Sequence, residues 1–222
     1  MSTRPRAAVS WSGGKDSLAA VAATRGALDI VCALTMFDES GARSRSHGLR
    51  PELVAAQAAR LGMRAVSARC RWDTYDEAFT SALRGLAADG ITHVVFGDLV
   101  YQEHRNWAEA RCAEASVTAV EPLFGLSTDG LFDAFIASGA TAIMVTVREP
   151  WLDETWLGRP LDAAMKPVFI ERGIDPCGER GEYHTAVVDS PLFSHPLAVT
   201  HGEWVRRGDC LALDLIPDAA GL

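Results

Sequence analysis

The chain has 222 residues, 48% of them hydrophobic, and a formal net charge of −8. That length and apolar content suit one good core, and an acidic balance without a basic run argues against a nucleic-acid partner. Five cysteines with no C-x-x-C pair argue against a disulfide framework or a thiolate zinc site, and no stretch is apolar enough to span a bilayer, so a soluble cytoplasmic protein is expected.

Strand-length apolar runs alternate with helical patterns along the first 150 residues. Residues 6–11 read as a strand and 15–26 as a helix. Residues 29–37 form a second strand, rich in β-branched side chains, and 50–61 a helix that stops at Gly62. Residues 64–69 are a short strand. The helix over 74–88 has Thr74 and Glu77 at capping-box spacing and Gly90 just past its end. A strand over 92–96 ends in Gly97-Asp98, helices follow over 102–115 and 127–137, and 141–147 is a strongly apolar strand.

This alternation predicts an α/β fold: a doubly wound, mainly parallel, Rossmann-like sheet. The pattern changes near Pro150. Residues 161–172 read as a helix, 173–182 as a polar glycine-containing loop, and 184–190 and 197–215 as strands, the last pair joined near Gly208-Asp209. The expected division is therefore 1–150 as the α/β domain and 151–222 as a small α+β extension.

The stretch VSWSGGKDSLAAV, residues 9–21, carries the clearest chemistry. A strand that turns through two glycines into a helix presents backbone N–H groups and the positive end of a helix dipole, which attract an anion. Ser12 and Ser17 add hydroxyls, and Lys15 adds a charge in a chain with only two lysines. It departs from the common P-loop, because the loop is shorter and Asp16 follows the lysine. The plain alternative is a glycine turn with Asp16 near a helix N-terminus for dipole reasons.

Ser-Gly-Gly-Lys-Asp-Ser resembles the S-G-G-x-D-S loop of the ATP pyrophosphatase, or PP-loop, superfamily of adenine nucleotide alpha hydrolase-like proteins. In that pattern the x position varies, so Lys15 is permitted rather than required. The resemblance implies that Ser12, Gly13, Gly14, Lys15, Asp16 and Ser17 cradle pyrophosphate leaving ATP, with Mg²⁺, and that Lys15 and Asp16 are catalytic. Further stretches are similar to the diphthine–ammonia ligase family: SHGLRPELVAAQAARLGM at 46–63, FGDLVYQEHRNWAEARC at 96–112, EPLFG at 121–125 and GIDPCGERGEYHTAVVDSPLF at 173–193. The scarcity of lysine suggests a bacterial relative.

The resemblance implies an ATP-dependent amide ligase that adenylates a carboxylate, protein-borne or small, releases pyrophosphate, and transfers ammonia or an amine. Residue 2 is Ser2, so no amino-terminal cysteine nucleophile for a glutaminase is expected.

Several residues carry two readings each. Glu179 and Glu182, in the glycine-flexed loop, suit ammonium binding, proton transfer or a second Mg²⁺; the alternative is a solvated acidic turn. His184 would act as a base or contact the substrate. Gly97 and Asp98 stand at the carboxyl end of a strand, where such sheets bind ligands, so Gly97 is assigned to the nucleotide and Asp98, with Asp16, to metal or substrate; the alternative for Asp98 is a helix cap. Arg105 is either aimed at a substrate anion or paired with Glu109 one turn along. His47 lies near the nucleotide by resemblance, or is merely an exposed loop histidine. Cys177 reads as a small buried thiol. The competing functions are a PP-loop tRNA thiolation enzyme and a non-catalytic adenine-nucleotide-binding regulator. The tryptophan-bearing segment 150–157 reads equally as core, as a substrate wall or as the face of a homodimer.

Overall fold

The computed structural model describes residues 4–218; Ser2 lies outside them. Five strands, β1 (Arg6–Ser10), β2 (Asp29–Phe37), β3 (Arg64–Arg69), β4 (His93–Val95) and β5 (Thr118–Val120), form a sheet in the order β3-β2-β1-β4-β5. Every pairing in it is parallel. This is the doubly wound, Rossmann-like arrangement, with its switch point between β1 and β4.

Alternation along the strands divides the core in two. Ala7, Val9, Ala33, Phe37 and Val95 face one side, with Leu18 and Val21 of α1 (Lys15–Thr24) and Leu53 and Val54 of α2 (Pro51–Arg60). Ala8, Cys32, Leu34, Val94 and Phe96 face the other, with Phe79 and Leu83 of α3 (Tyr75–Ala88) and Ala108 and Cys112 of α4 (Gln102–Glu114). The helix α5 (Thr128–Ala137) is capped by Ser127, whose side chain accepts from Gly130 N.

A second, four-stranded sheet is antiparallel, in the order β7-β6-β9-β8: β6 (Thr141–Arg148), β7 (Tyr183–Asp189), β8 (Val199–Arg207) and β9 (Cys210–Pro217). Its buried residues, among them Val145, Val147, Val187 and Leu211, join the first side of the core, so the two sheets share packing. The β8–β9 hairpin turns at Gly208, whose φ is +65°, a conformation glycine adopts without a steric penalty.

Four details differ from the sequence-based expectation. The strand expected at 141–147 belongs to the antiparallel sheet, which therefore begins ahead of residue 150; an apolar run buried on both faces looks alike in either sheet. The three-residue β5 was not anticipated. Thr74 does not pair with Glu77, because its hydroxyl accepts from Arg71 N at 3.2 Å in a preceding 3₁₀ turn. The helix expected over 161–172 is shorter, α6 (Met165–Glu171).

Candidate active site

The turn between β1 and α1 lies at the carboxyl end of the parallel sheet. Gly14 is the N-cap of α1 and has no side-chain cap. Gly14 N donates to Ser12 Oγ at 3.3 Å, and Lys15 N to Thr185 Oγ1 of β7 at 3.1 Å. The next two amides, of Asp16 and Ser17, make no hydrogen bond to another described residue. Such amides at a helix start form an anion site.

The backbone must come close on all sides of this turn. A Cβ on Gly13, whose φ is +84°, would lie 2.6 Å from Leu49 Cδ1. One on Gly97, just beyond β4, would lie 2.9 Å from both Ser17 N and the Asp16 carbonyl carbon. Glycine at 97 lets the end of β4 pack directly against the Asp16–Ser17 peptide. Gln57, fully buried on α2, braces the turn: it accepts from Trp11 Nε1 at 3.0 Å and donates to Gly13 O at 3.0 Å and Val187 O at 2.8 Å.

A cavity of about 650 Å³ opens over the turn, lined on its polar side by Ser12, Lys15, Asp16, Ser17, Asp98 and Glu179. The loop 173–182 closes this side. Lys15 is only 3% exposed; its Nζ donates to Asp16 Oδ2 at 2.8 Å and to the Cys177 carbonyl, and stands 5.2 Å from the Tyr183 ring centre. Burial pushes the Cys177 thiol up to about 12, and its Sγ lies 3.2 Å from Thr128 O, so it is an inert packed thiol.

The carboxylates of this cavity influence one another. Burial, reinforced by Asp16, pushes the Glu179 carboxyl up to about 8, against the relief that Lys15 provides. Burial also raises Asp98, against the pull of His104, whose Nδ1 lies 3.2 Å away. His47 stacks on His184 with ring centres 4.6 Å apart. Burial pulls His47 down to about 4 and His184 well below its ordinary value, so both rings are neutral near pH 7. His47 Nδ1 lies 2.7 Å from the Thr185 carbonyl, which can only accept, so that nitrogen carries the proton.

The structure thus brings Ser12, Lys15, Asp16, Ser17, His47, Gly97, Asp98, Glu179 and His184 to one cavity, with Gly13 and Gly14 shaping its floor. Two expected residues stand elsewhere. Glu182 is fully buried and clasps its own loop: it accepts from Asp175 N at 2.9 Å, Arg180 N at 2.9 Å and Arg180 Nε at 3.0 Å. With three donors already on it and no exposed surface, this carboxylate holds the shape of the loop, and it is not among the residues lining the cavity. Arg105 bonds Glu109 at 3.0 Å, approaches Glu121 at 3.6 Å and stacks over Phe124, away from the cavity.

Sequence reasoning missed Gln57 and an aromatic wall, and it noted Thr185 only as part of the stretch 173–193, without a role. Trp72, Tyr75, Tyr101 and Trp107 line the apolar side of the cavity, with Trp72 68% exposed and the Arg45 guanidinium 4.9 Å from its ring centre. Trp72 and Tyr75 come from the turn that opens α3, and Tyr101 and Trp107 from the start and middle of α4; the last two lie in the stretch 96–112, but nothing there singles out their rings. Among the described residues no group of three His, Cys, Asp or Glu side chains could hold a metal ion alone. Asp16 and Asp98 do face the same cavity, and Mg²⁺ is commonly held by one or two carboxylates together with phosphate oxygens, so the donor set fits that ion.

Comparison with known proteins gives consistent matches. Residues 5–119 match the diphthamide synthase N-terminal domain, and residues 127–212 the diphthamide synthase C-terminal domain. The diphthine–ammonia ligase of Bos taurus is 27% identical over 147 residues, covering 64% of this chain and 55% of that protein. The human protein of the same name is 27% identical over 150 residues, covering 65% and 56%. The matched part of the chain spans about half the length of these relatives. Among solved structures, a predicted subunit of a tRNA methyltransferase from Methanocaldococcus jannaschii covers 84% of this chain and 98% of its own, at 16% identity and a TM-score of 0.45, too distant to argue from.

Proposed function

The chain belongs to the diphthamide synthase family, and from that premise we propose that it is an ATP-dependent ligase that adenylates a carboxylate and passes it to ammonia or an amine. The observation that carries the reading is the pair of unpartnered amides of Asp16 and Ser17, facing a cavity with Asp98 and Glu179 on its walls. Diphthine is the acceptor in the relatives' names; for this chain the reading commits to the class, a carboxylate.

A carboxylate resists attack by nitrogen because oxide would have to leave. In the first step its oxygen attacks the α-phosphorus of ATP and pyrophosphate departs. The amides of Asp16 and Ser17 and the hydroxyls of Ser12 and Ser17 hold the departing charge. Asp16 and Asp98 would hold Mg²⁺, which supplies charge neutralisation for the phosphates. In the second step the amine nitrogen attacks the acyl carbon and AMP leaves with the electron pair. Glu179, whose carboxyl burial pushes up to about 8, accepts in its ionised form the proton that the nitrogen loses. His47, neutral and with Nε2 free to accept, orients a donor on the substrate side of the cavity.

Labelled pyrophosphate exchange tests the first step. A carboxylate-dependent return of label into ATP is expected, abolished in Asp16→Ala. Exchange without any carboxylate, or none with a broad pool of carboxylates, contradicts the adenylation reading.

A further inference from the structure

In this chain the lysine of the phosphate loop lines the same cavity, but its ammonium is engaged by protein groups. Its ammonium is buried between two elements distant in sequence: Asp16 at the start of α1, and the carbonyl of Cys177 in the loop ahead of β7. The Tyr183 ring closes the pocket from below at 5.2 Å. The backbone N–H of the same residue donates to Thr185 Oγ1, and the Thr185 carbonyl accepts from His47. Lys15 therefore ties the phosphate loop to the 173–182 loop through its side chain and to β7 through its main chain.

We propose that Lys15 is a positioning residue and not a phosphate ligand: its ammonium staples the 173–182 loop to the phosphate loop and so sets where Glu179 stands relative to Asp16. An ammonium has three donors and no acceptor. Two are committed, to a carbonyl and a carboxylate. Releasing them to reach a phosphate would leave the Cys177 carbonyl buried without a partner. Glu182 fixes the internal shape of the same loop through Asp175 and Arg180, and Thr128 of α5 holds its Asp175 end at 2.8 Å, so the Lys15 ammonium is the contact that ties the loop to the phosphate loop in particular. The inference deepens the ligase reading of this site, but its tests require no turnover, so the two fail separately.

The chain contains only two lysines, Lys15 and Lys166, which makes amine labelling of the whole protein clean. Under reductive methylation read by peptide mass, Lys166 should be modified while Lys15 stays unmodified, equally with and without ATP and Mg²⁺. Labelling of Lys15 at the rate of Lys166 in free protein, suppressed by ATP, would overturn the proposal. A variant gives the second arm. Lys15→Met should speed trypsin cleavage after the exposed Arg180 by ~10-fold or more, since cleavage follows local opening. Its dissociation constant for ATP should change by less than about threefold, because no phosphate contact is lost. Unchanged cleavage together with an ATP affinity weakened ~10-fold or more is the signature of a phosphate ligand and contradicts the staple. If Lys15→Met does not fold, the labelling of the unmodified chain decides alone.

Discussion

Glycine to alanine at two positions should move stability in opposite directions. At Gly97 the added Cβ would sit 2.9 Å from Ser17 N, 2.9 Å from the Asp16 carbonyl carbon and 3.0 Å from Asp16 O. Ordinary contact begins at 3.4 Å, and all three atoms are backbone, so the first turn of α1 must retreat by several tenths of an ångström. Overpacking of that kind costs ~1–3 kcal/mol. For a chain of this size that is roughly 3–9 °C in Tm. At Gly85, inside α3 and exposed, nothing lies within 4 Å of the new Cβ. There alanine should stabilise by ~0.5–1 kcal/mol through helix propensity alone. Urea denaturation of both variants checks the signs. Calorimetry with pyrophosphate checks the site: Gly97→Ala should lose at least ~10-fold in affinity because the Asp16 and Ser17 amides move. Gly97→Ala with unaltered stability and pyrophosphate affinity would refute the close approach of β4 and α1 as the basis of the site.

Other substitutions probe the surrounding contacts. Gln57→Leu leaves the Trp11 N–H and the Val187 carbonyl without side-chain partners in the core and should cost about 3 kcal/mol or more by urea denaturation. Glu179 has a native value near 8 against an ordinary 4.5, so the folded chain keeps a proton that the unfolded chain has released between those values. Its contribution therefore declines as pH rises from 4.5 to about 8, and Glu179→Gln should flatten that slope in a pH series of melting curves. Arg50 and then Arg43 hold the Asp214 carboxyl well below its ordinary 3.8. Asp214→Asn should destabilise by about 1 kcal/mol at neutral pH, the pairs being partly solvent-screened. The difference should shrink as pH falls below 3.8, where that stabilisation is lost.

Much of the parallel sheet was legible because its signals are local. β2 and β3 begin and end where the apolar runs do, at 29–37 and 64–69. The partners of β6 were not legible, since β7 and β9 lie far along the chain and a run buried on both faces does not name its sheet. β5 escaped because three residues carry too little periodicity. In the candidate site the turn 12–17 is contiguous and could be read from sequence. The roles of Arg105 and Glu182 depended on which neighbours folding delivers: Glu109 for one, Asp175 and Arg180 for the other. Gln57 meets Gly13 and Val187, and Trp107 meets the pair Trp72 and Tyr75, only because folding brings distant segments together, as it does Lys15 and Cys177.

The most direct test of the account follows the phosphorus. The protein would be incubated with ATP, Mg²⁺, ammonium and pooled carboxylates, beside an Asp16→Ala control, and the products resolved by ³¹P NMR. Carboxylate-dependent AMP and pyrophosphate, absent from the variant, are expected if the amides of Asp16 and Ser17 hold the departing pyrophosphate. ADP and phosphate would place the cleavage at the wrong bond and contradict the reading of the turn at 12–17.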